Sequence, residues 1–505
     1  MRGSAARAAR ARQSARYAER SALRAYRRGP LTQLRLGSLR SPRLRIPLPR
    51  GERGLLVGEC FVCDSSVLMT PPDLFTPDFA ERPHWWDLAA PEPGEQNDLP
   101  AVTDVAIVGS GYTALVAALH LARGGRSVLV LEAELAGHGA SRRNAGYLGR
   151  TLKRSFTWLE EHHGAEFATR VYRELDAARQ WVYALVAELG IQCHIAQPGR
   201  FIGATSEAHY KDLAQELEVM RRRLGFPYEM IAPMDLRREL ASDAYMGGAV
   251  IPDLGSIHPA LYHQGLLNAA RAAGVRVFTQ TAVTALAHDG KEVRVTTPRG
   301  PVAAREAIVA NNGYTPRHVS WLARRVIPFE GFMAATEELP PELMGKLIPN
   351  GRTVIDSNVN INFIRPAPDQ RKILFGGLTG SRPSDLRDMG RRLHAMVTRL
   401  LPDLADVRLS RVWRGQCAGT FDFMPHIGRH DGLWYALGYN FAGVPMGSYL
   451  GLKLAQQILG KAEGASVFGT TPFPTLPFYR GNPWFVPLAM RWFDWKDARF
   501  ARKGT

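Results

Sequence analysis

Apolar positions first fall into a regular pattern at Val102. Val105-Ala-Ile-Val108 is a short apolar run stopped by glycines, as a buried strand requires. Residues 113–123 place Leu115, Leu119 and Leu121 at helical spacing, and Ser127-Val-Leu-Val-Leu-Glu132 is a second buried strand. Strand, glycine turn, helix and strand make a βαβ unit.

Further along, residues 155–189 and 208–224 have helical patterns with a strand at 201–205 between them. A helix is predicted at 259–273, strands at 275–279, 293–297 and 307–310, and two strands within 354–375. A strand at 433–437 and an apolar helix at 448–459 follow. Dinucleotide signals stand at both ends of this array, so the domain that carries them is discontinuous. The predicted class is α/β: a Rossmann-like domain begun by the βαβ unit, plus an α+β domain with a mixed or antiparallel sheet.

Composition changes this picture at the termini. Of the net charge of +17, residues 1–68 supply +11, from 15 arginines against four acidic residues and no lysine. The basic signal belongs to this segment, which is expected to be disordered or to reflect an over-long start. No nucleic-acid partner is expected. Four cysteines in 505 residues argue against a disulfide scaffold and suit a reducing compartment, so a cytoplasmic location is expected. Cys60 and Cys63 have no second ligand pair, and no metal site is expected. Residues 69–100 read as an extended lead-in, in which Pro83-His-Trp-Trp86 can pack on the body. Residues 468–505 hold ten aromatics and five prolines; packing on the body is favoured, with a peripheral membrane contact left open.

The first motif with chemistry is Gly109-Ser110-Gly111-Tyr-Thr113-Ala114. Gly109 permits a tight turn, Gly111 lets backbone approach a pyrophosphate, and Ala114 lets helix and strand pack. The helix N-terminus offers unpaired N–H groups and a partial positive charge. Glu132, with Ala133 beside it, ends the second strand, where a carboxylate accepts from both ribose hydroxyls of an adenosine and repels a 2′-phosphate.

A second small-residue loop follows at once: Gly137-His-Gly139-Ala140-Ser141-Arg-Arg-Asn144-Ala-Gly146. Here the sequence resembles the D-amino-acid oxidase-like family of FAD enzymes, and within it the γ-glutamylputrescine-type amine oxidoreductases. The resemblance implies that this loop runs under the ribityl chain and flavin ring. It extends over about residues 85–482. Thr281-Ala-Val283 matches a strand whose backbone meets the adenine, and Val309-Ala-Asn-Asn-Gly-Tyr314 a family turn. Phe363-Ile-Arg365 with Leu374-Phe-Gly-Gly377 matches a sheet of the substrate domain. Residues 101–150, 245–325 and 430–465 are assigned to the FAD-binding domain, 151–244 and 326–429 to the substrate domain, and 466–505 to a C-terminal extension.

Gly438-Tyr-Asn440-Phe-Ala-Gly443-Val444-Pro-Met-Gly447 links the last strand to the last helix. Its helix N-terminus is placed to face the flavin and stabilise negative charge on the reduced ring. Ala442 stands where many relatives have His or Arg. Cys417 lies where covalent attachment is conceivable, but its spacing to Thr420 differs from that of covalent relatives, so non-covalent FAD is expected. Arg365 is the expected partner of a substrate carboxylate, with His426 and Asn440 on the substrate side. The resemblance implies oxidation of the carbon–nitrogen bond of a small amine or amino acid by hydride transfer, with O2, a quinone or another carrier as acceptor. A non-catalytic FAD-binding assembly protein of the same fold is the alternative.

Overall fold

The computed structural model describes residues 74–150 and 152–502. The expectations for residues 1–68, including Cys60 and Cys63, lie outside the described residues. Two large sheets carry the fold.

The first sheet is built on the βαβ unit. Val102–Val108 lies between Val128–Leu131 and Gly300–Val309, and Arg276–Phe278 continues the sheet beyond Val128–Leu131, all in parallel. The end of Gly300–Val309 also pairs in parallel with Leu433–Leu437, its partners standing 126 positions further along the chain. These strands are apolar on both faces because helices cover one side and a small hairpin layer covers the other. Helices Tyr112–Arg123, Pro259–Ala272 and Gly443–Ile458 supply one cover, and Ala165–Glu188 packs on them. Tyr112–Arg123 and Gly443–Ile458 approach very closely: a Cβ on Gly451 would lie 2.5 Å from the Thr113 carbonyl oxygen.

The second sheet has nine strands, ordered Phe75–Ala80, Leu409–Gly419, Ile327–Thr336, Ile373–Gly377, Phe363–Pro366, Thr353–Asp356, Arg200–Gly203, Gly248–Ile251 and Glu229–Ile231. It is largely antiparallel, and Leu386–Leu400 packs its apolar face on it.

Several elements depart from the expected placements. His426–His430, expected in the substrate domain, pairs antiparallel with Leu433–Leu437 and so extends the first sheet. The cause is local: Asp431 and Gly432 have φ of +47° and +77°, the two-residue turn that an Asp-Gly pair favours in hairpins. Gly248–Ile251, expected in the FAD-binding domain, lies inside the second sheet. Residues 354–375 contribute three strands rather than two. The lead-in is not merely extended: Phe75–Ala80 is an edge strand, and Trp85 is fully buried against His258 and the Arg365 guanidinium. The helix predicted at 448–459 begins at Gly443, five residues before the predicted start, and a further helix, Val486–Arg502, follows it.

Candidate functional site

A cavity of about 920 Å3 is walled by both sheets and by the loops between them. One end is built by the first motif. Gly109 has a φ of +99°, which a side chain would strain. That turn brings Ser110 to Glu132: the Ser110 N–H donates to Oε2 at 2.9 Å and its hydroxyl at 2.7 Å, while Glu134 N–H donates to Oε1 at 3.1 Å. Glu132 is thus held at the cavity wall by the turn itself. Thr281 N–H donates to the Glu132 carbonyl and Gln280 N–H to that of Glu134. These bonds carry Ala282 and Val283 onto the same wall. They do so from a loop and not from the strand expected at 281–283.

The second motif wraps the start of the first helix. Ser141 Oγ accepts from Tyr112 N–H at 3.1 Å, in place of a cap from Gly111, which has no side chain. The Tyr112 hydroxyl shares its one proton between the Ser141 and Pro259 carbonyls and accepts from Asn144 Nδ2 at 3.2 Å. Asn144 Oδ1 accepts from Gly146 N–H at 2.8 Å. Arg142 is fully buried; its Nε donates to His263 Nδ1 at 2.9 Å. The His263 ring must then carry its proton on Nε2, which donates to the Ser110 carbonyl at 2.7 Å. Burial, with Arg142 adding to it, pushes the His263 pKa down to about 3, so the ring stays neutral.

The third wall is the C-terminal loop. Asn312 Oδ1 accepts from Gly438 N–H at 2.9 Å, and Thr113 Oγ1 shares a proton with the Tyr439 hydroxyl at 2.6 Å. Asn440 and Phe441 both have positive φ, +46° and +76°, before the helix starts at Gly443. Its N-cap, Ala442, forms no side-chain cap. Two helix N-termini therefore meet one cavity.

This wall fits FAD on three observations. Gly109 and Gly146 have positive φ, and a Cβ on Gly146 would lie 2.1 Å from the Ile257 carbonyl oxygen, so backbone forms these parts of the lining. Both helix N-termini lack a side-chain cap from their own N-cap residue. Asn311 Oδ1, at the wall, is buried without a partner among the described residues.

The expected cofactor residues fall as follows. Gly109, Ser110, Gly111, Thr113, Glu132 and Ala133 line the cavity, as do Gly139, Ala140, Ser141, Asn144 and Gly146, and Val283, Gly443 and Val444. Ala114 and Gly438 do not. Ala114 is buried in the helix packing, and a Cβ on Gly438 would meet Thr420 at 2.3 Å.

The substrate-side expectations need correction. Arg365 borders a separate cavity of about 300 Å3, and its guanidinium donates to the carbonyls of Ala145, Ile257 and Pro366. Those bonds join the second motif to the second sheet and leave Arg365 off the large cavity. His426 is buried, stacks on Phe473 at 4.1 Å and pairs with Asp422 at 2.9 Å, also off the cavity. Asn440 does line it, with its amide spent on Thr420 and the Gly438 carbonyl.

Other residues stand where those were expected. Lys153 lines the cavity, its ammonium donating to the Val359 carbonyl at 2.9 Å and lying 5.1 Å from the Phe441 ring. Burial pulls its pKa down to about 8, against the opposing pull of Asp356 and Asp497. Arg200, also on the wall, stacks over Tyr147 and has one terminal nitrogen without a partner among the described residues. No motif marks either residue in the sequence. Their only signal is position: Lys153 follows the second motif closely, and Arg200 opens a strand.

The chain matches the family described as FAD dependent oxidoreductase over residues 104–457. It is 33% identical over 388 residues to the gamma-glutamylputrescine oxidoreductase of Escherichia coli, covering 76% of this chain and 90% of that protein. It is 29% identical over 427 residues to the probable oxidoreductase OrdL of Rhizobium meliloti, covering 82% and 97%. The crystal structure of glycine oxidase from Geobacillus kaustophilus shares the fold, with a TM-score of 0.63 and 24% identity over 75% of this chain and 99% of that one. With the dinucleotide turn, the second small-residue loop and the helix-start loop gathered on one cavity, the chain belongs to the D-amino-acid oxidase-like family of FAD-dependent oxidoreductases.

Proposed function

We propose that this flavoenzyme oxidises the carbon–nitrogen bond of an amine or amino acid to an imine, which water then hydrolyses. The observation that carries this reading is the shared cavity: the residues that would hold FAD and a largely apolar substrate end, with Lys153 on its wall, are continuous. Similarity to the gamma-glutamylputrescine oxidoreductase supports it. When bound, FAD supplies the hydride acceptor.

The chain's own residues do the rest. Glu132 would receive the ribose hydroxyls, and the N–H groups at the start of Tyr112–Arg123 the pyrophosphate. The N-terminus of Gly443–Ile458 would offer partial positive charge to the ring. Met333, Phe423 and Phe441 line the cavity, and an apolar wall would favour the neutral form of a bound amine, the form able to release hydride. A substrate carboxylate would meet Lys153, the role expected of Arg365. Cys417 lies on the wall with its thiol pushed up to about 11 by burial. A protonated thiol is a poor nucleophile, in keeping with non-covalent FAD. Steady-state turnover with detection of released ammonia or amine and of a carbonyl product tests the reading. Flavin turnover that yields neither product would overturn it.

A further inference from the structure

The family match ends at residue 457, but the cavity wall does not. Phe485, Val486, Ala489, Met490 and Phe493 also line it. The last four belong to the helix Val486–Arg502, and the spacing i, i+1, i+4, i+5, i+8 puts all five on one face. Leu488 and Arg491, on the other face, are exposed. We infer that residues 485–493 form the outer wall of the substrate end and select amines that carry an extended apolar group. The inference rests on the amine-oxidoreductase reading above and deepens it.

The segment is fastened to the body before it reaches the cavity. Arg325 Nε donates to the Phe473 carbonyl at 2.9 Å, and the buried Tyr479 hydroxyl donates to the Val326 carbonyl at 2.8 Å. The helix then seats on the turn at Gly380, where an added Cβ would lie 2.8 Å from Met490 Cγ and 3.1 Å from Val486 Cγ1. Further along, Asp497 Oδ2 accepts from Val359 N–H at 2.9 Å, and the Val359 carbonyl holds Lys153. The extension therefore supports Lys153 as well as the apolar wall.

The cavity that the helix lines is also lined by aromatic rings. Phe421 lies 5.2 Å from the Tyr479 ring and 6.4 Å from Phe485, and Phe329 lies 5.2 Å from Phe441. A short alkylamine leaves these rings against water. A longer apolar group buries them, gaining roughly threefold to fourfold in affinity per methylene. Phe329, Phe421, Phe441, Phe485 and Phe493 all line this cavity and suit an aromatic group, which packs on such rings in offset or edge-to-face contact.

The test uses n-butylamine and 4-phenylbutylamine as probes of the full-length holoenzyme. Binding is read from perturbation of the flavin absorbance, and flavin reduction is followed anaerobically in the same samples. Wild type is expected to bind 4-phenylbutylamine at least about tenfold more tightly than n-butylamine. Phe493→Ala and Met490→Ala should each erode that preference by about fivefold to tenfold. Ala489→Phe, which fills the space instead of opening it, should abolish tight binding of 4-phenylbutylamine. Flavin content monitors folding in each variant. A wild type without the preference overturns the inference, as does a preference unchanged in all three variants. Selective binding in a holoenzyme whose flavin neither these probes nor a panel of other amines and amino acids reduces would leave the wall standing and sink the amine-oxidation reading. Reduction by both amines without selectivity would do the reverse.

Discussion

Thr113 Oγ1 and the Tyr439 hydroxyl lie 2.6 Å apart, joined across 326 residues of sequence. The Tyr439 hydroxyl also donates to the Ala436 carbonyl at 2.7 Å, so the shared proton is the threonine's. This bond locks the turn at 109–113 to the loop that starts Gly443–Ile458. Tyr439→Phe removes it and leaves two buried groups unpaired, a loss of about 1–3 kcal/mol. Both thermal stability and FAD retention should fall, as a melting curve and a dilution assay of bound flavin would read. A variant equal to wild type in both would show that the two motifs are not coupled here.

Glu132→Ala should weaken FAD binding by a similar amount, about 1–3 kcal/mol. It removes the proposed ribose acceptor and also frees Ser110, whose N–H and hydroxyl it holds. Flavin content at successive dilutions is the measurement. Full retention would mean that the carboxylate serves the turn alone.

Gly443→Leu separates cofactor space from fold. An added Cβ there meets only Tyr439, at 4.0 Å, and the backbone φ lies outside the left-handed range. The apoprotein should melt within a degree or two of wild type, while flavin content drops because the side chain enters the cavity. Retained flavin would show that the cofactor does not reach this helix start.

Lys153→Met should raise KM for amino acids by about tenfold to a hundredfold, the worth of a charge-assisted hydrogen bond, relative to amines of the same skeleton. The wild-type preference for the amino acid should also decline as pH rises through about 8, where the ammonium loses its proton. Taking the ratio to the matching amine cancels the substrate's own titration. An unchanged ratio in the variant would remove Lys153 from the substrate site.

Acid should loosen the helix Pro259–Ala272. His258 is its N-cap, accepting from Leu261 N–H, and burial holds its pKa down near 3, as it does that of His263. Unfolded histidine takes up a proton near 6.5, and these rings do not. Their contribution is complete above pH 6.5 and is lost as pH falls from there toward 3, by about 1.4 kcal/mol per pH unit for each ring. His258→Asn keeps a good cap without the titration. Melting temperature against pH should fall less steeply in this variant; identical slopes would contradict the assignment.

The sequence revealed this site unevenly, for physical reasons. Gly109, Gly111 and Glu132 were legible because local chain geometry dictates them: a turn, a close approach and a strand end. Arg365 and His426 misled because a polar side chain near a site serves either the cavity or the neighbouring backbone, and only tertiary packing decides which. The three carbonyls that claim Arg365 come from residues up to 220 positions away. Asp431-Gly432 marked a hairpin that would have moved His426–His430 into the first sheet. The aromatic density after residue 468 was visible, but the cavity face of Val486–Arg502 depends on a turn at Gly380 that no local pattern announces.

Anaerobic mixing of the purified yellow protein with a panel of amines and amino acids tests the central claim most directly. The account predicts that at least one amine bleaches the flavin absorbance band to completion, and that readmitted acceptor restores it. A panel of primary and secondary amines and amino acids that perturbs or leaves the band unchanged, while dithionite reduces the same flavin fully, would contradict it.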